Sequence, residues 1–365
     1  MDKEFITNTG RVIKEYLTSR GISQKDLATR TGMSEKHISN MLNSKSRLTE
    51  EMALKLECVM PDIKASYWLN YEQKYREYLA RNKQANALSK LDLVSIAKRF
   101  HFGEVFKGLD WSVEKQAYEM LKLLGISDYG CFDSTYRNLD AAFMEDGGEK
   151  EAIAIWIRLC EEQIDIQNKD ISNIIFKKEN VEERLALFRE FVLIDGLDGI
   201  TINCKKLCNN LGIYLVLYPT ITNCKVRGAL KTYLGKPAIF LSGRFRTLDH
   251  IWFAFFHELG HLLMHYDTKY DELSFEGDTN KKEEEANSFA RDLLIDPIEY
   301  NKFVIKYKGK IQKENILSFA RSQNSLPGIV VGRLQHDGFL EHNDYNTLKK
   351  NVDPKEVFHD LCTNY

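Results

Sequence analysis

Long apolar runs are missing from this 365-residue chain. None approaches the roughly 20 residues that a membrane-crossing helix needs. The opening MDKEFITNTG also lacks the apolar core of a secretory signal. A large net charge is missing too: the balance is −2, so the chain as a whole is not a polyelectrolyte. No disulfide framework is visible. Seven cysteines, an odd number without regular spacing, point to free thiols in a reducing compartment. Cys204, Cys208 and Cys224 lack the short knuckle and fourth ligand of a structural metal site. These absences exclude a secreted disulfide scaffold and a membrane partner. They lead to the expectation of a cytoplasmic protein.

What is present is ordinary globular composition, with 43% hydrophobic and 11% aromatic residues. The length allows two or three separate cores. Charge is distributed unevenly. Residues 1–90 hold 16 Lys and Arg against 11 Asp and Glu, and the remainder holds 35 against 42. A modestly basic N-terminal part on an acidic body suits a local nucleic-acid contact.

Apolar spacing and capping residues predict short helices over residues 10–60. Ser23, Ser34 and Thr49 stand as N-caps, and Thr31-Gly32-Met33 makes a tight turn. An aromatic helix around Trp68, Tyr71, Tyr75 and Tyr78 continues over 63–81, and RNKQANALSK at 81–90 reads as a hinge. Residues 91–190 read as helical, with breaks at Gly108, Gly125 and Gly147-Gly148. After 195 come three candidate strands, LGIYLVLYP, VRGAL and PAIFLSG. Helices follow over 248–266, 281–295, 311–323 and 327–336. The expected architecture is multidomain and mainly α. It comprises an all-α N-terminal domain over 1–80, a helical middle over 81–190 and an α+β domain with a small sheet over 191–365.

The helix at 248–266 carries WFAFFHELGHLLMH. Residues four apart share a helical face, so His257 and His261 can bind one tetrahedral metal. Glu258 sits beside them without being a ligand. This H-E-x-x-H arrangement suits zinc-dependent hydrolysis of amides. The metal brings the pKa of its water to roughly 7, and the glutamate takes and returns the proton. A third ligand is needed. His265 lies eight residues from His257, about 12 Å along the axis and too far for the same ion, which leaves it a supporting role. The later helix KKEEEANSFARDLLI offers Glu283, aligned with the apolar stripe Ala286, Ala290 and Leu294, with Glu285 as its rival. Asn287, one turn beyond Glu283, is placed to orient a histidine. Tyr266, Tyr270, Arg333 and His336 are candidate transition-state donors. The strand AIFLSG is expected to offer an edge to an extended peptide.

From about residue 196 onward the chain resembles the ImmA/IrrE family of zinc metallopeptidases. The matching segments are VRGAL, KPAIFLSGRFRTLDHIWFAFFHELGHLLMH, EEEANSFARDLLIDP and PGIVVGRLQHDGFL. The resemblance implies a zincin-like fold of the gluzincin type, with His257, His261 and a glutamate of the later helix as ligands. It also implies Glu258 as general base and cleavage of regulatory proteins. The family's proline after this helix is displaced by one position, to Pro297.

At the other end, helix, tight turn and helix is the geometry that seats one helix in the major groove. The segment from Ser34 would present Ser34, Glu35, Lys36, His37, Ser39 and Asn40, while Gln24, Lys45 and Arg47 are placed for phosphates. The stretch from TGRVIKEYL through ASYWLNYEQKY looks like the Xre-type helix-turn-helix of HigA-type antitoxins. Ser44 stands where that family usually has glycine. The resemblance implies binding of double-stranded operator DNA, as a homodimer, and autorepression of an operon that encodes a toxin. Two readings accommodate all these motifs. One is a DNA-binding regulator with a working zinc endopeptidase acting on a repressor or a cognate toxin. The other is an antitoxin or repressor whose zinc domain binds a partner or senses a signal without proteolysis.

Overall fold

A computed structural model describes residues 6–137, 139, 148–266 and 279–353. The break expected at Gly147 and the donor candidate Tyr270 lie outside them. The chain is mainly α and divides into two compact units, Met1–Leu93 and Val94–Tyr365. Helices are numbered here when they reach eight residues. No helix among the described residues is long and apolar enough to cross a membrane.

The first unit holds α1 (Thr9–Ser19), α2 (Gln24–Thr31), α3 (Glu35–Leu42), α4 (Glu50–Val59) and α5 (Ala65–Leu88). Local chemistry sets their starts. The Ser23 hydroxyl accepts from the Asp26 amide at 3.1 Å while the Asp26 carboxylate accepts from the Ser23 amide at 3.1 Å, a reciprocal cap. Ser34 Oγ accepts from the His37 amide at 3.2 Å, and Thr49 Oγ1 from the Met52 amide at 3.3 Å. Gly32 ends α2 in the left-handed region. Ile13, Leu27, Ile38, Met52, Leu56 and Trp68 fill the core. The expected hinge at 81–90 is instead helical as far as Leu88. It contains neither glycine nor proline to break the hydrogen-bond ladder, and its Ala, Gln, Arg, Lys and Leu residues extend it readily.

Two backbone details fix the end of α3. A Cβ on Gly10 would stand 2.4 Å from the Leu42 carbonyl oxygen, so α1 meets α3 backbone to backbone. Ser44 takes φ 57°, the left-handed conformation that explains the glycine usual at this place. Ser44→Gly should therefore stabilise this unit by about 1 kcal/mol. A lower urea midpoint for the variant would show that the serine side chain outweighs its backbone strain.

In the second unit, β1 (Tyr214–Leu217), β2 (Gly228–Tyr233) and β3 (Lys236–Leu241) form one sheet in the order β1-β3-β2. β1 runs parallel to β3, with Tyr214 opposite Ala238. β2 runs antiparallel, with Gly228 opposite Leu241. The strand AIFLSG is thus central, and the expectation that it offers an edge is corrected. Ala238, Ile239, Phe240 and Leu241 are completely buried, as a strand covered on both faces requires. The outer side of β1 is closed by side chains. Gln167 bonds Leu217 through both amide atoms, at 3.1 and 3.2 Å, and Asn168 accepts from the Leu215 amide at 3.0 Å.

Side chains alternate across β3, and a helix covers each face. α6 (Val113–Leu124) precedes α7 (Lys150–Glu162), which supplies Trp156. Its ring meets Phe240, and its indole N–H donates to the Tyr218 carbonyl at 2.9 Å. On the other face, Ile239 and Leu241 join the core of α8 (Leu248–Met264) through Trp252, Phe255 and Phe256. Each of these aromatics contributes about 2–3 kcal/mol by leaving water. α9 (Thr279–Leu294) lies against α8 and is followed by α10 (Pro297–Tyr307), α11 (Lys313–Ser322) and α12 (Pro327–His336). α10 is absent from the helices expected from the sequence, although Tyr300, Phe303, Val304 and Tyr307 recur at helical spacing and face the core. Its start was nonetheless signalled: Asp296 caps the Ile298 and Glu299 amides, each at 2.9 Å, and Pro297 occupies the first turn.

Candidate functional site

α8 turns one face of H-E-x-x-H toward α9. His257 Nε2 and His261 Nε2 stand 3.0 Å apart. Glu283 places Oε2 3.1 Å from the first and Oε1 3.1 Å from the second. These three are the group among the described residues whose ligand atoms converge on one point. Zinc bonds of 2.0–2.1 Å imply tetrahedral edges of about 3.3 Å, close to these separations. The tautomers agree. Asn287 Oδ1 accepts from His257 Nδ1 at 3.0 Å, which puts the proton on Nδ1 and leaves the Nε2 lone pair toward the centre. His261 Nδ1 lies 3.0 Å from His265 Nδ1, and His265 Nε2 lies 2.9 Å from Glu285 Oε2. With Nε2 of His261 turned to the centre, its Nδ1–H donates to His265, and His265 donates onward to Glu285. Glu283 is therefore the carboxylate at the centre, and Glu285 stands one histidine behind it.

Burial pushes the Glu283 carboxyl up, but its hydrogen bonds to His257 and His261 and their charges outweigh this and hold it well below the ordinary carboxylate range. Glu258 behaves the opposite way. Burial raises its pKa, against the pull of His257 and His261. The carboxylate reaches the start of β2, where a Cβ on Gly228 would stand 2.7 Å from its Oε1. Gly260 lets the two helices approach: a Cβ there would stand 3.0 Å from the Phe289 ring and 3.3 Å from the Ala286 Cα. Sequence reasoning missed both glycines, whose task is space rather than chemistry.

The sequence-derived DNA face divides by exposure. Gln24, Glu35, Lys36, Lys45 and Arg47 are exposed, while His37, Ser39 and Asn40 are half-buried. Ser34 is exposed, yet its hydroxyl is engaged as the cap of α3. Ser39 Oγ accepts from Asn43 at 3.2 Å, and Arg47 lies 3.7 Å from Glu50. Lys14 Nζ donates to Asn43 Oδ1 at 2.8 Å, tying α1 to the end of α3.

Residues 13–68 match the family model of a helix-turn-helix. Residues 208–320 match that of the M78 peptidases, described as an IrrE N-terminal-like domain. The chain joins these two domains. None of the curated proteins matches it. The helix-turn-helix match begins at Ile13 in α1 and ends on Trp68, the largest side chain of that core. The IrrE-like match contains the whole sheet, α8 and α9, and with them His257, Glu258, His261 and Glu283. M78 peptidases are generally zinc-dependent, and a donor set of two imidazoles and one carboxylate fits that metal.

Three of the donor candidates, Tyr266, Arg333 and His336, lie within the described residues, and each has a side-chain partner. Arg333 lies over the Tyr300 ring at 4.6 Å and donates to Asp337 at 2.8 Å. His336 is exposed and pairs with Asp337. Tyr266 meets Thr232 Oγ1 at 3.1 Å.

Proposed function

We propose that this chain is a DNA-binding regulator whose C-terminal domain is a zinc endopeptidase acting on a regulatory protein, such as a repressor or a cognate toxin. Glu258 supports this reading most. It is a buried carboxylate held beside the ligand trio without belonging to it, with a raised pKa and its oxygen against an edge strand. A metal kept only for structure needs no such neighbour. Zinc held by His257, His261 and Glu283 would supply Lewis-acid activation of water and of the peptide carbonyl. Glu258 removes the proton of the attacking water and delivers it to the departing amine. Its burial makes it a stronger base than an exposed carboxylate. Asn287, His265 and Glu285 keep the two imidazoles in the tautomers that binding requires. An extended peptide adds along β2, passing Gly228 and so placing the bond to be cut beside Glu258 and the ligand trio.

The helix-turn-helix domain supplies the address. α3 enters the major groove with Glu35, Lys36, His37, Ser39 and Asn40, while Gln24, Lys45 and Arg47 hold phosphates. A homodimer would read two operator half-sites.

The test is Glu258→Gln in the full chain, digesting a proteome-derived peptide library read by mass spectrometry. Zinc content should stay at the wild-type level while cleavage falls at least about a hundredfold. Cleavage persisting near the wild-type rate would remove Glu258 from the mechanism. A wild type that binds zinc and cuts nothing would favour a partner-binding or sensing domain.

A further inference from the structure

A shallow pocket lies between the end of β3 and the first turns of α8. Its floor is apolar, made by Leu241, Ile251 and Ala254, all buried. Its rim is cationic and aromatic. The guanidinium carbons of Arg244 and Arg227 stand 5.0 and 5.5 Å from the centre of the Phe245 ring, and the His250 ring lies 4.4 Å from it. Among the described residues no carboxylate lines the pocket. The nearby Asp249 is buried behind His250 and is compensated by Lys349 at 3.6 Å.

Two relations place this pocket beside the proposed catalytic centre. Arg227 immediately precedes Gly228, whose Cα faces Glu258. His250 lies seven residues before His257 on α8, so both share one face, about 10 Å apart along the axis. A peptide extended along β2 advances about 3.3 Å per residue, so it reaches the pocket within a few residues of Glu258. We propose that Arg227, Arg244, Phe245 and His250 form a substrate subsite for an acidic side chain close to the cleaved bond. The short aliphatic stem of Asp or Glu covers the floor, and the carboxylate meets the two guanidinium groups. The proposal rests on the endopeptidase reading above.

Wild-type and Arg227→Glu/Arg244→Glu chains, both full length and zinc-loaded, digest the same peptide library. In the wild-type digest, Asp and Glu should be enriched about fivefold at one fixed position near the cleaved bond, the factor of a solvent-facing charge pair. In the double variant that position should turn to Lys and Arg, with zinc content unchanged. If the double variant fails to fold by circular dichroism, Arg227→Gln and Arg244→Gln singly should each reduce the enrichment. Cleavage without acidic enrichment overturns the subsite and leaves the peptidase standing. So does an enrichment indifferent to the substitutions. A wild type that cleaves no peptide overturns both.

Discussion

Glu283→Ala should leave the purified chain without zinc, whereas the wild type should carry about one ion per chain, as three protein ligands plus an open position dictate. His257→Ala should behave the same way. The reason is geometric. Each Glu283 oxygen lies 3.1 Å from one histidine Nε2, so the carboxylate closes the ligand triangle. Glu285→Ala leaves that triangle intact and removes only the acceptor behind His265. It should keep the metal and weaken its binding by about 10–100-fold, the range for an outer hydrogen-bond partner. Elemental analysis of dialysed protein, followed by competition with a chelator, separates the cases. Zinc retained by Glu283→Ala but lost from Glu285→Ala would move the third ligand to Glu285.

Gly10→Ala should have the second large effect, far from the metal. The added Cβ would stand 2.4 Å from the Leu42 oxygen and 2.6 Å from that of Met41. Both are backbone atoms at the end of α3, so no side chain can swing away. α1 and α3 must separate, at about 1–3 kcal/mol or more for overpacking. The helix proposed to read DNA moves with them. The variant should melt earlier, and retardation of the chain's own promoter DNA in a gel should weaken severalfold. An unchanged melting temperature would mean that α1 tilts freely. Unchanged retardation in a destabilised variant would separate α3 from DNA binding.

These two residues mark what the sequence reveals and what it hides. Glu283 was legible because one stripe, continuing through Ala286, Ala290 and Leu294, is a one-dimensional pattern, and these three are buried as the stripe requires. Asn287 was legible for the same reason. The caps Ser23, Ser34 and Thr49 act within three residues of themselves, so their signal is local. Gly10, Gly228 and Gly260 were not legible. Each is defined by an atom of a distant segment that comes too close for a Cβ. Strand order was hidden for a related reason. Three apolar runs predict three strands, but which of them lies between the others depends on crossovers, and PAIFLSG took the centre. The hinge read at 81–90 stays helical as far as Leu88, because polarity alone does not stop a helix.

The amides of Gln167 and Asn168 have a consequence for the life of this sheet among other chains. A bare strand edge is a template on which unfolded polypeptide can deposit. By occupying the outer backbone of β1, the two side chains remove one of two such templates without the expense of a fourth strand. Deposition is thereby restricted to β2, the strand that Glu258 borders. If a substrate adds along β2 as proposed, its capture and the growth of an aggregate would compete for the same backbone, and a chain engaged with its substrate would be the one protected from polymerising.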